Sequence, residues 1–202
     1  MFYCPSAVFQ PRYTNNFALN PAETNTKWAL SDADRLATWN ATSGTHHSMS
    51  SRKATVKRYV ESKLESGGGS NFGFGFAKDA VPYTDNSGRI GAHAASWGVN
   101  SVGLTLVGGG GQGTFATWAV GDRLMFAIDP ASGKVWYGVN GTWTNSGNPG
   151  AGTGQVYTGM DTSLRFAVSF DTLSGVAAVA RTYWRAVEQL YAAPSGFTSW
   201  DD

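Results

Sequence analysis

The stretch GDRLMFAIDPASGKVWYGVNGTW, residues 121–143, constrains the fold more than any other part of the chain. Leu124, Phe126 and Ile128 alternate with Met125, Ala127 and Asp129, the period of two that belongs to a β-strand. Asp129 then opens a turn, Pro130 fixes φ at its second position, and Gly133 permits positive φ at its exit. Val135, Tyr137 and Val139 alternate with Trp136, Gly138 and Asn140 on the way back, and Asn140-Gly141 is a strong tight-turn dipeptide. An apolar hairpin of this kind needs further strands to bury it. It is expected to be the core hairpin of a β-sandwich.

The remaining sequence supplies those strands. RLATWNATSG (35–44) reads as a short strand with an exit turn. NFGFGFA (71–77) alternates Phe72, Phe74 and Phe76 with glycines, so something is expected to pack closely on its bare face. HAASWGVN and VGLTLVG flank a turn at Asn100-Ser101, and SLRFAVSF (163–170) and GVAAVART (175–182) follow as strands. Segment 52–70 is ambiguous: Ala54, Val56, Val60 and Leu64 fit a strand face, while Val56, Tyr59, Val60 and Leu64 fit a helical stripe. Its charges, Arg52, Lys53, Lys57, Arg58 and Lys63 against Glu61 and Glu65, read as a solvated face. VPYTDNSGRIG (81–91), GGGGQG (108–113) and residues 141–154 read as loops. Tyr183, Trp184, Val187, Leu190 and Tyr191 are spaced as a short helix. The fold class expected is all-β, an antiparallel sandwich over residues 28–202 with a short C-terminal helix.

Residues 1–27 differ. They carry three prolines and no sustained period. Phe2, Tyr3, Phe9, Tyr13 and Phe17 are nonetheless too apolar for a solvated linker. An irregular arm that docks on its own domain or on a neighbouring subunit fits them.

Composition narrows the partners. Charged residues make up 14% of the chain and the formal net charge is +1, so neither nucleic acid nor an anionic membrane is expected as a partner. One cysteine, Cys4, rules out an internal disulfide framework and a cysteine-based zinc site. The start of the chain lacks a signal-peptide pattern, and no apolar stretch is long enough to span a membrane, so cytosolic synthesis and folding are expected.

Taken together, WAVGDRLMFAIDPASGKVWYGVNGTW, GNPGAGTGQVYTGMDTSLRFAVSF and the terminal APSGFTSW resemble a SPRY (B30.2-like) domain, a relative of the concanavalin-like jelly rolls. The first supplies the Gly-Asp step, the strand ending in Asp, the Gly turn and the Asn-Gly step. The resemblance covers roughly residues 36–200. The Gly- and Ala-rich version, with its long loop after Asn-Gly, is similar to SPRY domains of bacteriophage virion proteins. RTYWRAVEQLYAAP and the charged segment 52–66 depart from the pattern.

That resemblance implies a binding module. A concanavalin-like glycosidase would need two carboxylates aimed at one sugar bond. Glu23, Glu61, Glu65 and Glu188 are the only glutamates, and Glu61 and Glu65 sit among basic residues as expected ion pairs. His46 and His47 are adjacent, so on a strand they face opposite sides, and His93 is remote; no metal or other cofactor is expected. Asp122 and Asp129 read as turn caps. No enzyme activity is expected.

Specificity then falls to the loops. The candidate ligand-binding residues are Tyr83, Asp85 and Asn86; Trp97; and Trp143, Asn145 and Tyr157, with Thr84, Asn100, Thr144 and Asn148 beside them. Trp28, Trp118 and Trp136 are assigned to the core, and Trp97 and Trp143 to the surface. The resemblance implies a virion-associated adhesin that recognises a host-surface glycan or protein. The alternative is a decoration or connector protein fastened to other virion proteins by its arm. Either would work as a homo-oligomer in a symmetric particle.

Overall fold

The computed structural model describes residues 19–24, 28–33, 35–39, 44–50, 52–67, 72–78, 90–93, 95–160, 164–172 and 177–202. In chain order the strands are β1 (Leu19–Thr24), β2 (Trp28–Ser31), β3 (Leu36–Trp39), β4 (Gly44–Ser50), β5 (Arg58–Ser66), β6 (Phe72–Lys78), β7 (Ser96–Asn100) and β8 (Leu104–Val107). They continue as β9 (Gly110–Thr114), β10 (Arg123–Asp129), β11 (Lys134–Val139), β12 (Thr142–Trp143), β13 (Tyr157–Thr158), β14 (Leu164–Thr172), β15 (Ala178–Tyr183) and β16 (Thr198–Ser199). One sheet runs β1-β4-β14-β6-β7-β8-β9. The other runs β12-β11-β10-β5-β15-β3-β2, with β13 added on β11 and β16 on β5. All pairings are antiparallel except β16 on β5. The all-β sandwich expected from the sequence is the observed architecture.

The opening hairpin folds as its alternation requires. Phe126 pairs with Tyr137 and Ile128 with Val135, and these residues face the other sheet. Gly133 has φ +66 and Asn140-Gly141 have φ +49 and +85, the left-handed conformations that the turns demand. The Asp129 carboxylate accepts the Ala131 N–H at 3.1 Å, and Asp122 accepts the Ala119 N–H at 2.8 Å, so both act as turn caps.

Between the sheets Phe72, Phe74, Phe76, Phe126, Phe166 and Trp97 form one aromatic core. On the outer side of the first sheet, a Cβ on Gly98 would lie 2.4 Å from the Ile90 carbonyl and one on Gly73 3.3 Å from the Ile90 side chain. The close neighbour expected over the bare glycine face is therefore the turn at Ile90.

Four expectations change. The helix expected across 183–191 is a single 3-10 turn, Ala186–Glu188, with extended residues at both ends. Its apolar spacing has no helical face to bury: Val187 and Leu190 are exposed. The glycine-rich segment 108–113 holds an edge strand, β9, rather than a plain connection. The ambiguous segment is strand β5 from Arg58 onward, and it is not a solvated face. Arg58 and Glu61 are buried, because the C-terminal residues 184–202 cover this sheet from outside. The fourth change concerns Leu19–Thr24, inside the expected arm, which pairs with β4 at the edge of the first sheet. Phe2, Tyr3, Phe9, Tyr13 and Phe17 lie outside the described residues. Among the described residues no helix is long and apolar enough to cross a membrane.

Candidate functional site

The second sheet has an unusual outer face. Odd-numbered positions of β5 and β10 and the even position Trp136 of β11 point outward. Tyr59, Met125, Ala127 and Trp136 are nonetheless buried, under Phe197, Tyr191 and Ala193. Residues 184–202 thus form a strap. It is fastened by backbone pairing of β16 to β5 and by Arg58, whose guanidinium donates to Thr198 Oγ1 (2.8 Å), the Ser199 carbonyl (2.9 Å) and the Asp202 carbonyl (2.7 Å). Phe197 meets Trp136 edge-on at 5.9 Å. At the inner end, Trp184 and Trp200 enter the core, and Trp200 stacks on Phe76.

Where the strap meets the loop after the opening hairpin, the two enclose a groove of about 620 Å³. Trp143 and residues 147–151 form one side; Pro194 and Ser195 form the other. None of these lining residues is charged. The loop is held in shape from beneath. Trp136 Nε1 donates to the Thr153 carbonyl at 2.8 Å, Lys134 Nζ to the Gly152 carbonyl at 2.8 Å, and Thr144 Oγ1 to the Tyr137 carbonyl at 2.8 Å. Asn148 and Thr153 exchange both backbone hydrogen bonds across the loop. Asn145 and Ser146 adopt φ +55 and +50, tolerated where short polar side chains replace β-branched ones. The groove is therefore preformed, with the half-buried Trp143 ring on its loop side, 6.2 Å from Tyr59.

Of the candidates named from sequence, the structure brings Trp143 and Asn148 into this groove. Asn145 supports the loop instead, donating its amide to the Gln155 carbonyl at 2.9 Å. Tyr157, on β13, packs against the core. Thr144 is buried, and Asn100 is spent on its own turn, accepting the Leu104 N–H at 2.9 Å. Trp97 overturns its surface assignment: its relative exposure is 0%. It occupies an inward position of β7 opposite Phe76 and Val107, and it stacks on Phe76 at 6.2 Å. Trp28, Trp118 and Trp136 are buried as expected. Tyr83, Thr84, Asp85 and Asn86 lie outside the described residues. The strap side of the groove was not foreseen, although Pro194-Ser195-Gly196-Phe197 offered the signal of a turn ending in an aromatic anchor.

The carboxylates weighed for hydrolysis are committed elsewhere. Glu61 is fully enclosed by four donors, and Glu65 is engaged by Lys63 and Arg181. Glu188 pairs with Arg35 and accepts the Trp184 N–H. Among the described residues no group of three His, Cys, Asp or Glu side chains is placed to hold a metal ion.

No family model and no curated protein matches the chain's sequence. Solved structures do match. The SPRY domain of human HERC1 superimposes with a TM-score of 0.65 at 14% identity, over 82% of this chain and 96% of that one. The fold is SPRY-like. The TRIM65 PSpry domain gives a TM-score of 0.57 at 17% identity, over 83% of this chain and 92% of that one. Stonustoxin gives 0.62 at 12% identity over 83% of this chain, which spans only 27% of the toxin chain. At such identities the likeness establishes the SPRY-like fold alone, since one fold serves many functions.

Proposed function

We propose that this SPRY-like chain is a non-catalytic binding module and that its ligand sits in the groove between Trp143 and the strap. The observation that carries the reading is the groove's chemistry. An aromatic ring, two prolines, glycine backbone, Asn148 and Ser195 line it without a charge. Such a surface suits a neutral ligand that offers apolar faces and hydrogen-bonding groups, because nothing in it would need an opposite charge. Support against hydrolysis comes from Glu61 and Glu65, whose oxygens are already taken up by neighbouring donors.

The finer reading is a virion-associated adhesin of a bacteriophage that binds a host-surface glycan or protein, with residues 1–18 fastening it to other virion proteins in a symmetric homo-oligomer. It draws on the Gly- and Ala-rich loop sequence, which here builds the groove. The test is saturable binding of the purified protein to intact host cells, with and without residues 1–18. Binding that survives the deletion and falls at least tenfold in Trp143→Ala supports the adhesin. No binding by either form, with the arm required for incorporation into particles, would replace it with a structural decoration protein.

A further inference from the structure

The strap wall of the groove is held by a buried acid that the binding reading does not itself use. Glu61 lies on the outer face of β5 with 0% exposure. Its Oε1 accepts the Tyr59 hydroxyl at 2.7 Å and the Tyr191 N–H at 2.8 Å. Its Oε2 accepts the Leu190 N–H at 2.9 Å and faces Arg123 Nε at 3.3 Å. Arg123 is in turn stacked on the Tyr183 ring at 3.4 Å. A charge out of water is tolerated only when each oxygen is paired in this way.

The direction of these bonds matters. On the strap Glu61 grips backbone, not side chains: Leu190 and Val187 are 65% and 90% exposed and add little packing here. Pro194 and Ser195 stand a few residues beyond Tyr191, and the strap is next fixed at Phe197 and β16. The ring of Tyr191, whose own amide is gripped, lies against Gly141, where a Cβ would come 2.8 Å from it. Gly150 meets Ser195 in the same fashion, at 3.3 Å. The wall therefore hangs between two fixings: Phe197 with β16 at one end and, at the other, the two amides held by Glu61 with Tyr191 and Ala193 packed on the sheet beside them.

We infer that Glu61 is the positioning residue of the groove: through the Leu190 and Tyr191 amides it sets where Pro194 and Ser195 stand opposite Trp143 and Gly150. This rests on the reading of the groove as the ligand site, but it is tested without any ligand. Glu61→Gln keeps the shape of the side chain and removes its charge, and Ser62→Ala on the same strand removes a buried hydrogen bond on the inner face as a control for simple destabilisation. Amide exchange and backbone NMR are recorded on both and on the wild type. In Glu61→Gln the Leu190 and Tyr191 amides should exchange roughly ten- to a hundredfold faster, the loss expected when a charged acceptor is withdrawn. Resonances of the Trp143 indole, Gly150 and Ser195 should shift, while Phe126 and Val168 amides keep their protection; Ser62→Ala should leave all groove signals in place. Unchanged exchange at 190 and 191 would overturn the inference. So would faster exchange there with unmoved signals at Trp143, Gly150 and Ser195, since Glu61 would then be a plain tether. Loss of cell binding bears on the binding reading and leaves this result separate.

Discussion

Replacing Gly154 with alanine should damage the groove loop by an amount that can be worked out beforehand. Gly154 has φ +63, and a Cβ there would lie 2.7 Å from the Asn145 carbonyl oxygen, the Ser146 carbonyl oxygen and Gly147 Cα. All three are backbone, so no flexible side chain can move aside. The left-handed conformation costs a residue with a Cβ about 1–2 kcal/mol, and forcing a methyl into filled space costs about 1–3 kcal/mol more. Gly196 supplies the comparison: its φ is +80 and a Cβ would meet nothing within 4 Å. Gly196→Ala should therefore lose only the conformational part, about 1–2 kcal/mol, against about 2–5 kcal/mol for Gly154→Ala. In a domain of this size that larger loss is a fall in Tm of roughly 4–20 °C. Urea and thermal unfolding of the two variants, followed by tryptophan fluorescence, give the difference directly. Equal losses would refute the reasoning, because the loop would then have room that its backbone contacts deny.

Three further outcomes follow from the burial and pairing of single side chains. Burial, with the Glu61 charge second, pushes the Tyr59 hydroxyl above its ordinary value of 10.0, and burial raises Tyr137 as well. A raised folded value means that stability is intact below pH 10 and is lost above it, by about 1.4 kcal/mol per pH unit for each tyrosine. Tyr59→Phe should flatten that slope in urea titrations above pH 10, and an identical slope in the variant would contradict the burial of its hydroxyl. At the acid end, the Arg181 hydrogen bond holds the Asp32 carboxyl below its ordinary 3.8. The pair's contribution is present above that pH and fades as pH falls through the lowered value; an NMR titration should place Asp32 below 3.8, and Arg181→Gln should bring it back up. Trp97→Ala should cost about 3–5 kcal/mol, as for other buried aromatics; a loss below about 1 kcal/mol would return Trp97 to the surface.

The hairpin faces were legible because β periodicity depends only on neighbours along the strand. Leu124, Phe126 and Ile128 face the core as their alternation requires. The opposite face was harder. Alternation leaves the burial of Met125 and Ala127 open and Trp136 is assigned to the core, but what buries all three is the strap some 60 residues later, a contact that no local pattern encodes. Glu61 shows the same limit. Flanked by basic residues, it reads as a solvated ion pair, yet it is buried, paired with Arg123 of the neighbouring strand, and its other donors are two backbone amides of the strap and a tyrosine two positions away. Trp97 failed for a different reason: a Trp-Gly step beside a turn looks like a loop tip, and only the register against Phe76 shows that it points inward. Trp143 follows the Asn-Gly turn in a segment that reads as loop, yet it stays on the sheet edge, paired with Gly138 of β11 and half-buried.

The most direct test of the groove as the ligand site is a paired binding screen. Purified wild-type protein and Trp143→Ala are applied side by side to an array of neutral oligosaccharides and to a displayed library of random peptides. Ligands retained by the wild type should bind Trp143→Ala at least tenfold more weakly while Tm changes little. Ligands that bind both proteins equally would contradict the site, and place recognition on another face of the sandwich.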